Sequence, residues 1–397
     1  MSSVPRIAKP VDFRLEWCAM QEQKVYADYA AATPLDRRVL KAMLPFLKEN
    51  FGNPSSIHSL GVLARRAVEQ ARGEVSKVLH AHQDEIVFTS GATESINLAI
   101  RGVLGSGTGH VVTLASEHQA VLSSVGENVT FVPVGPDGAV YVDDVLAAIR
   151  PDTVLVTIMM ANNEIGVIQP IADIGREIVR RRKEQGSLFP LFHTDATQAA
   201  NYLELDVERL HVDLLSLSGS KIYGPKGSGV LYMRRGVKIE PLVVGGKQEL
   251  RMRAGTEHVA GIVGFAAALT LASMLREREE KRLRTLRDVC AKKLMSAIPG
   301  ATLNSVLLHS LPNILNFSIP GIEGEELVLR LDAQGFYIST ASACKGGNEP
   351  SHVLAALGKT KEEVMGSVRL SFGRQTRRRD IARIVEFLPK LVAQMRG

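Results

Sequence analysis

Cysteine is scarce in this chain. Its 397 residues include three, Cys18, Cys290 and Cys344, far apart and without CxxC spacing. That pattern excludes a disulfide framework and a cysteine zinc site, leaves no metal site to expect, and suits a reducing, cytoplasmic setting. Charge of one sign is lacking too: 48 Lys and Arg are scattered among 42 Asp and Glu, for a net charge of +6. So mild an excess admits an acidic partner or nucleic acid, but a solvated basic surface accounts for it as well. No apolar run suits a membrane. The first 24 residues contain no hydrophobic segment of the secretory type and read as a loose, disordered extension. The window 262–275 is too short for a bilayer and runs into Arg276, Glu277, Arg278, Glu279, Glu280 and Lys281, so it reads as a buried helix that continues into a solvated one. The chain has no internal repeat, no low-complexity tract and no Walker Gly-Lys-Ser/Thr.

What is present is ordinary globular composition, 45% apolar and 23% charged, in a chain longer than one hydrophobic core usually serves. Strand-like runs at 25–29, 85–89, 110–115, 129–134, 154–160, 191–194, 214–217 and 230–233 alternate with helical patterns such as 61–79, 142–150 and 171–184. Another helix starts after Asp36, with Val39, Met43 and Leu47 on its apolar face. This predicts an α/β fold with a mainly parallel sheet covered by helices, its chemistry lying beyond the carboxyl ends of the strands. After Thr256 long charged helices (262–297 and 379–395) take over, with strands at 314–319 and 368–372. We therefore expect an extension over 1–24, a large domain over 25–265 and a smaller α+β domain over 266–397.

Thr93, His118, Asn162, Asp195 and Ser218 each follow such a strand. Ser90-Gly91-Ala92-Thr93 joins a strand to a helix, a geometry in which unpaired N–H groups and the helix dipole favour an anion; a merely capped helix explains the same residues. Lys221 sits between a strand ending in Ser218 and a glycine-rich turn, where it would hold a phosphorylated aldehyde cofactor as a Schiff base. Asp195 would then face a ring nitrogen, and Ser218 and Ser220 the phosphate. A lysine in a surface turn fits these residues too. Cys344 lies among small residues beside Lys345, Gly346 and Gly347, conditions that favour thiolate, whereas Cys290 falls on the apolar stripe of a helix. Arg369, in a strand-like run, suits a carboxylate clamp or an ion pair.

Ten ordered segments then carry a resemblance over residues 25–397: DYAAATPLD, FGNPSSIHSLG, EIVFTSGATESINLAI, SEHQAVL, NNEIGVIQPI, HTDATQAA, SKIYGPKGSGVLY, RAGTEH, SACKGGNEPSHVL and SVRLSFGR. The chain resembles the cysteine desulfurases of the NifS/IscS type, class-V aminotransferase-like enzymes of the fold-type-I pyridoxal-phosphate group. The resemblance implies a homodimeric transferase that removes sulfur from L-cysteine, giving L-alanine and a persulfide on Cys344. It implies pyridoxal 5'-phosphate on Lys221, Asp195 on the pyridinium nitrogen, Gln198 on the ring hydroxyl and His118 stacked on the ring. Ala92, Thr93, Ser218 and Ser220 would surround the phosphate, and Thr256 would reach that of the partner subunit. Asn162 and Arg369 would hold the substrate carboxylate. The resemblance implies a sulfur-acceptor protein and leaves its kind open: an iron–sulfur scaffold, a tRNA-thiolation protein or a DNA-phosphorothioation protein.

Three departures stand out. Ser220 replaces the histidine usual before the lysine, Leu250-Arg251 interrupts the familiar approach to Thr256, and the cysteine segment is slightly shorter than in IscS. A selenocysteine lyase would share fold and cofactor, as would a sulfur-donor scaffold with little catalysis of its own; an aminotransferase would not need Cys344.

Overall fold

The computed structural model describes residues 24–105, 107–340 and 350–397. The strands are β1 (Val25–Tyr26), β2 (Ile86–Thr89), β3 (His110–Leu114), β4 (Val129–Val132), β5 (Thr153–Thr157), β6 (Leu191–Asp195), β7 (Leu214–Ser218), β8 (Gly229–Met233), β9 (Thr302–Leu303), β10 (Ile314–Ser318), β11 (Phe336–Tyr337), β12 (Ser339–Thr340) and β13 (Ser367–Ser371). The helices are α1 (Arg37–Lys48), α2 (Ser59–Leu79), α3 (Ala92–Leu104), α4 (Gln119–Leu122), α5 (Val142–Ala148), α6 (Ile171–Gln185), α7 (Val207–Leu210), α8 (Val259–Ala297), α9 (Gly324–Asp332), α10 (His352–Ala356), α11 (Lys361–Met365) and α12 (Arg378–Arg396).

Seven strands form the large sheet in the order β2-β8-β7-β6-β5-β3-β4. Only β8 runs against its neighbours β2 and β7; the other pairings are parallel. Every residue of β2, β3, β6 and β7 is buried, which is why these runs are apolar without a period-2 alternation: helices cover both faces. A second sheet, β12-β13-β10-β9, is antiparallel. β1 pairs in parallel with β11, so residues 25–26 join the C-terminal part of the chain rather than the large sheet.

The helix ends follow local chemistry. Asp36 caps α1 by accepting the Arg38 N–H, and Val39 and Met43 turn inward. Leu47 does not follow them; it is 54% exposed. α8 runs unbroken across the expected 265/266 boundary. Its first half carries small residues that let helices approach closely: a Cβ on Gly264 would stand 2.7 Å from Met43 Sδ. Among the described residues α8 is the one helix long and apolar enough to cross a membrane, yet Ile262, Phe265, Ala268 and Leu269 are buried, with α1 and α2 packed alongside. Farther along, fully buried Arg287 donates to the carbonyls of Leu307 (2.8 Å) and Leu311 (2.7 Å), fastening α8 to the loop before β10.

Two buried ion pairs tie strands of the large sheet to their surroundings. Asp213 before β7 receives Arg182 of α6, Arg234 after β8 (2.7 Å) and the Phe192 N–H (2.7 Å). Glu249 receives both terminal nitrogens of Arg72 and the Phe88 N–H (2.7 Å). Removing one partner of a desolvated pair leaves an uncompensated buried charge, which costs far more than the intact pair contributes. Asp213→Ala should therefore lower unfolding stability by about 3–5 kcal/mol in denaturant melts. Asp173→Ala, whose Arg176 pair is exposed, should change it by less than about 1 kcal/mol.

Candidate active site

Parallel strands place their carboxyl ends on one edge of the large sheet, and the residues just beyond them form the site. Along that edge stand the β2–α3 turn, Ser218 and Lys221 after β7, Asp195 ending β6, Asn162 after β5 and His118 after β3. Direct bonds join neighbouring turns. The Met160 N–H donates to Asp195 O (2.9 Å), the Ala196 N–H to Ser216 O (3.1 Å), and Asn162 Nδ2 to Ser116 O (3.0 Å).

The β2–α3 turn is built for an anion. Gly91, at φ +148°, precedes α3 and offers no side chain to its free N–H groups. Ser95 is the first residue there whose N–H finds a carbonyl, that of Gly91. Ala92 therefore opens the helix with its backbone, while Thr93 presents an exposed side chain one residue later. The Ser218 and Ser220 hydroxyls lie 3.0 Å apart at the same corner; a Cβ on Gly91 would stand 4.0 Å from Ser218 Oγ. Unpaired N–H groups, helix dipole and hydroxyls together match a phosphate.

The lysine end is held by a strap over 28–33. Lys221 Nζ donates to Ala31 O, Gln198 Nε2 to Ala30 O (3.0 Å), and Thr33 N–H and Oγ1 both donate to Ser220 O (2.9 Å each). Asn201 Nδ2 donates to Lys221 O (2.6 Å), fixing the turn from below. Gln198, expected on a ring hydroxyl, thus has its amide nitrogen committed to the strap. Asp195 is buried, and its Oδ1 accepts the Thr197 N–H (2.9 Å). The strap's role escaped sequence reading, although DYAAATPLD marks it: backbone carbonyls do the accepting, and their side chains carry no signal.

Around the substrate positions, Asn162 is fully buried and its Oδ1 accepts the N–H groups of Glu164 (2.8 Å) and Ile165 (3.0 Å). His118 caps α4, its Nδ1 accepting the Ala120 N–H (3.1 Å). Arg369 is 4% exposed, so it is no surface pair. Nη2 meets Asp28 (2.8 Å) and Nη1 the Asn163 carbonyl (3.0 Å), while Nε is buried without a partner among the described residues. Glu117, also unforeseen, is fully buried with Oε1 on the Met159 N–H (2.7 Å) and Oε2 without a partner among the described residues. Burial drives its pKa well above the usual carboxylate range, and the charge of Asp195 adds to the rise. His193, bonded to the Thr157 and Ser216 hydroxyls, is lowered by burial to about 3.

The remaining expected residues divide. Thr256 is exposed just before α8, and no hydrogen bond among the described residues joins it to Ser218, Ser220 or Lys221. The turn before it, where Leu250-Arg251 departs from the family pattern, takes left-handed backbone at Glu249 (φ 42°), Leu250 (φ 57°) and Arg251 (φ 66°). Such a conformation costs energy for side-chain-bearing residues, and the Glu249–Arg72 pair holds it. Cys290 is core, its thiol pushed up to about 12 by burial. Cys18 and Cys344, with Lys345, Gly346 and Gly347, lie outside the described residues.

The donor set fits pyridoxal 5'-phosphate: an amine on Lys221, a buried carboxylate on Asp195, and the anion corner at α3. The aminotransferase class-V family model matches residues 25–384. The cysteine desulfurase IscS of Dictyoglomus turgidum is 45% identical over 385 residues, 94% of this chain and 96% of the relative. Among solved structures, a NifS-like protein superposes with a TM-score of 0.86 at 36% identity, covering 94% of this chain and all of that one. SspA in complex with cysteine gives 0.75, also at 36% identity, covering 88% and 98%. With its amine, carboxylate and anion corner on the edge where this fold keeps its cofactor, the chain belongs to the class-V aminotransferase family as a pyridoxal-phosphate-dependent cysteine desulfurase of the NifS/IscS type.

Proposed function

We propose that this chain removes sulfur from L-cysteine with Lys221, His118 and Cys344, and passes it as a persulfide to an acceptor protein. The observation that supports these assignments most is the convergence of Lys221, Asp195 and the uncapped start of α3 at the ends of β7, β6 and β2. When bound, pyridoxal 5'-phosphate supplies an aldehyde for the cysteine amine and a sink for its Cα electrons. Thr93, Ser218, Ser220 and the Ala92 end of α3 would hold its phosphate; Asp195, fixed by the Thr197 N–H, would set a negative charge against its ring nitrogen. Gln198 keeps the strap in place through its amide nitrogen, and its amide oxygen would accept from the ring hydroxyl. Arg369 Nε and Asn162 take the substrate carboxylate. Lys221 would remove the Cα proton and later return it, and His118, the residue proposed for the face of the ring, would accept the substrate thiol proton.

Cys344 then attacks the substrate sulfur as thiolate. An S–S bond forms and the Cβ–S bond breaks, its electron pair staying on the carbon side, where a proton completes L-alanine. The products are L-alanine and an enzyme persulfide whose outer sulfur an acceptor removes. We also infer a homodimer in which Thr256 reaches the partner's phosphate. Exposed Thr256 supports it, as do the strongly exposed large apolar side chains Phe51, Ile57 and Val244. A cytoplasmic location and a division of the chain at 265/266 belong to the same reading.

Three outcomes follow. Borohydride reduction of the yellow holoenzyme should label Lys221, and Lys221→Ala should lose the covalent link and all turnover; label on another lysine would refute the assignment. A heterodimer of Lys221→Ala and Thr256→Ala subunits should gather both defects in one site and keep the other active, whereas a fully active monomer in sedimentation would contradict the shared site. Cys344→Ser should keep colour, dimer and the spectral response to cysteine while losing persulfide and alanine. A thiol of pKa near ~8.5 supplies some thiolate at neutral pH and a hydroxyl almost none. Cys18→Ser and Cys290→Ser should retain the persulfide, and mass spectrometry locates it.

A further inference from the structure

The segment that carries Cys344 leaves the described structure at β12 and re-enters it at α10. The first post is set by strand pairing, Ser339 opposite Arg369 and Thr340 opposite Val368, so it adjoins the arginine assigned to the substrate carboxylate. The second post is made by side chains that the reaction, as assigned above, does not use. Ser351 is 2% exposed. Its hydroxyl donates to Glu164 Oε2 (2.5 Å) and accepts the Leu354 N–H (3.1 Å), so it caps α10 and holds a buried carboxylate at once. His352 Nε2 donates to the carbonyl of Glu117 (2.8 Å), the residue directly before His118.

Both anchors land on the active-site framework rather than on neutral core. Glu164 gives its N–H to Asn162 Oδ1 (2.8 Å), so the carboxylate that receives Ser351 belongs to the turn that orients Asn162. Val353, Leu354, Leu357 and Val364 of α10, α11 and their link pack on Ile165 and Val167 of that same turn, as an apolar cluster separate from the main core. A serine that only capped the helix would have no need of Glu164, and a histidine that only filled space would have no need of a backbone carbonyl beside His118. An imidazole donates from Nε2 whether it is cationic or the Nε2–H tautomer, so the contact does not depend on its charge.

We propose that Ser351 and His352 are positioning residues that clamp the exit of the cysteine-bearing segment to the Asn162 turn and to the backbone beside His118. Ten residues, 341–350, separate Thr340 from Ser351. Fixing Ser351 and His352 sets where the chain leaves the cysteine-bearing segment, which lowers the cost of presenting Cys344 to the substrate sulfur. The inference rests on Cys344 being the residue that receives the sulfur.

The test follows single-turnover persulfide formation in holoenzyme carrying Ser351→Ala or His352→Leu. Ser351→Thr serves as the conservative control for the hydroxyl, and His352→Gln, whose amide nitrogen replaces Nε2, as that for the ring donor. Persulfide formation should slow by about tenfold to a hundredfold in the first pair, with cofactor absorbance, spectral response to cysteine and KM as in the wild type. The second pair should recover most of the rate. Wild-type rates in both Ser351→Ala and His352→Leu, with the persulfide on Cys344, would overturn the clamp and leave the Cys344 assignment standing. A slowing matched by loss of cofactor or of thermal stability, and not rescued by the conservative pair, would also overturn it by reducing the contacts to packing. Persulfide on a different cysteine in the wild type would remove the Cys344 assignment and this proposal together.

Discussion

The ion pair between buried Arg369 and half-buried Asp28 is the contact on which the site's assembly depends. Arg369 belongs to the small antiparallel sheet and Asp28 to the strap over the large one, so a single guanidinium joins the two layers. The neighbouring bonds repeat the connection: the Ser371 N–H donates to Ala27 O (2.7 Å) and the Ala30 N–H to Ser371 Oγ (2.9 Å). Once β13 fixes the strap, the carbonyls of Ala30 and Ala31 become the acceptors that hold Gln198 and Lys221. A desolvated ion pair is seldom a large net source of stability. Its value here is geometric, since the strap has no strand ladder of its own over Ala30 to Thr33.

Beneath the site, burial removes charge where the chemistry has no use for it. His193 is neutral because both ring nitrogens face hydroxyls and no carboxylate, and burial disfavours the cation. Glu117 is shifted toward its protonated form by the same cause, with Asp195 reinforcing it. Burial thus works against charge on both groups, one in the strand that ends in Asp195 and the other directly before His118. Asp195, its Oδ1 held by the Thr197 N–H, is the carboxylate proposed to face the ring nitrogen.

The strands and their polar ends were legible because parallel strands buried on both faces leave plain apolar runs, and because fold geometry puts chemistry after them. Lys221, Asp195, Asn162, His118 and Ser218 could thus be placed along one edge from order alone. Leu47 was misread because a 3.6-residue period says which side chains share a face and not where the face ends. The left-handed turn at Glu249, Leu250 and Arg251 was illegible for a different reason. No local propensity favours it, and its stabilising partner, Arg72, lies 177 positions away. The strap and the Ser351–Glu164 contact were hidden likewise, the one by using carbonyls and the other by joining residues 187 positions apart.

Ser220 shows how a departure from a family pattern can be absorbed. The position normally supplies a histidine, a group that titrates near neutrality. Here the backbone of Ser220 is held twice, by the N–H and hydroxyl of Thr33, and its own hydroxyl stands 3.0 Å from that of Ser218. Two hydroxyls set side by side can each donate to one phosphate, and the open end of α3 supplies the positive potential that a cation would otherwise provide. The side chains assigned to this corner, Thr93, Ser218 and Ser220, do not titrate between pH 6 and 8, so hydroxyl and backbone donors stand where the family pattern has a group that changes charge in that range.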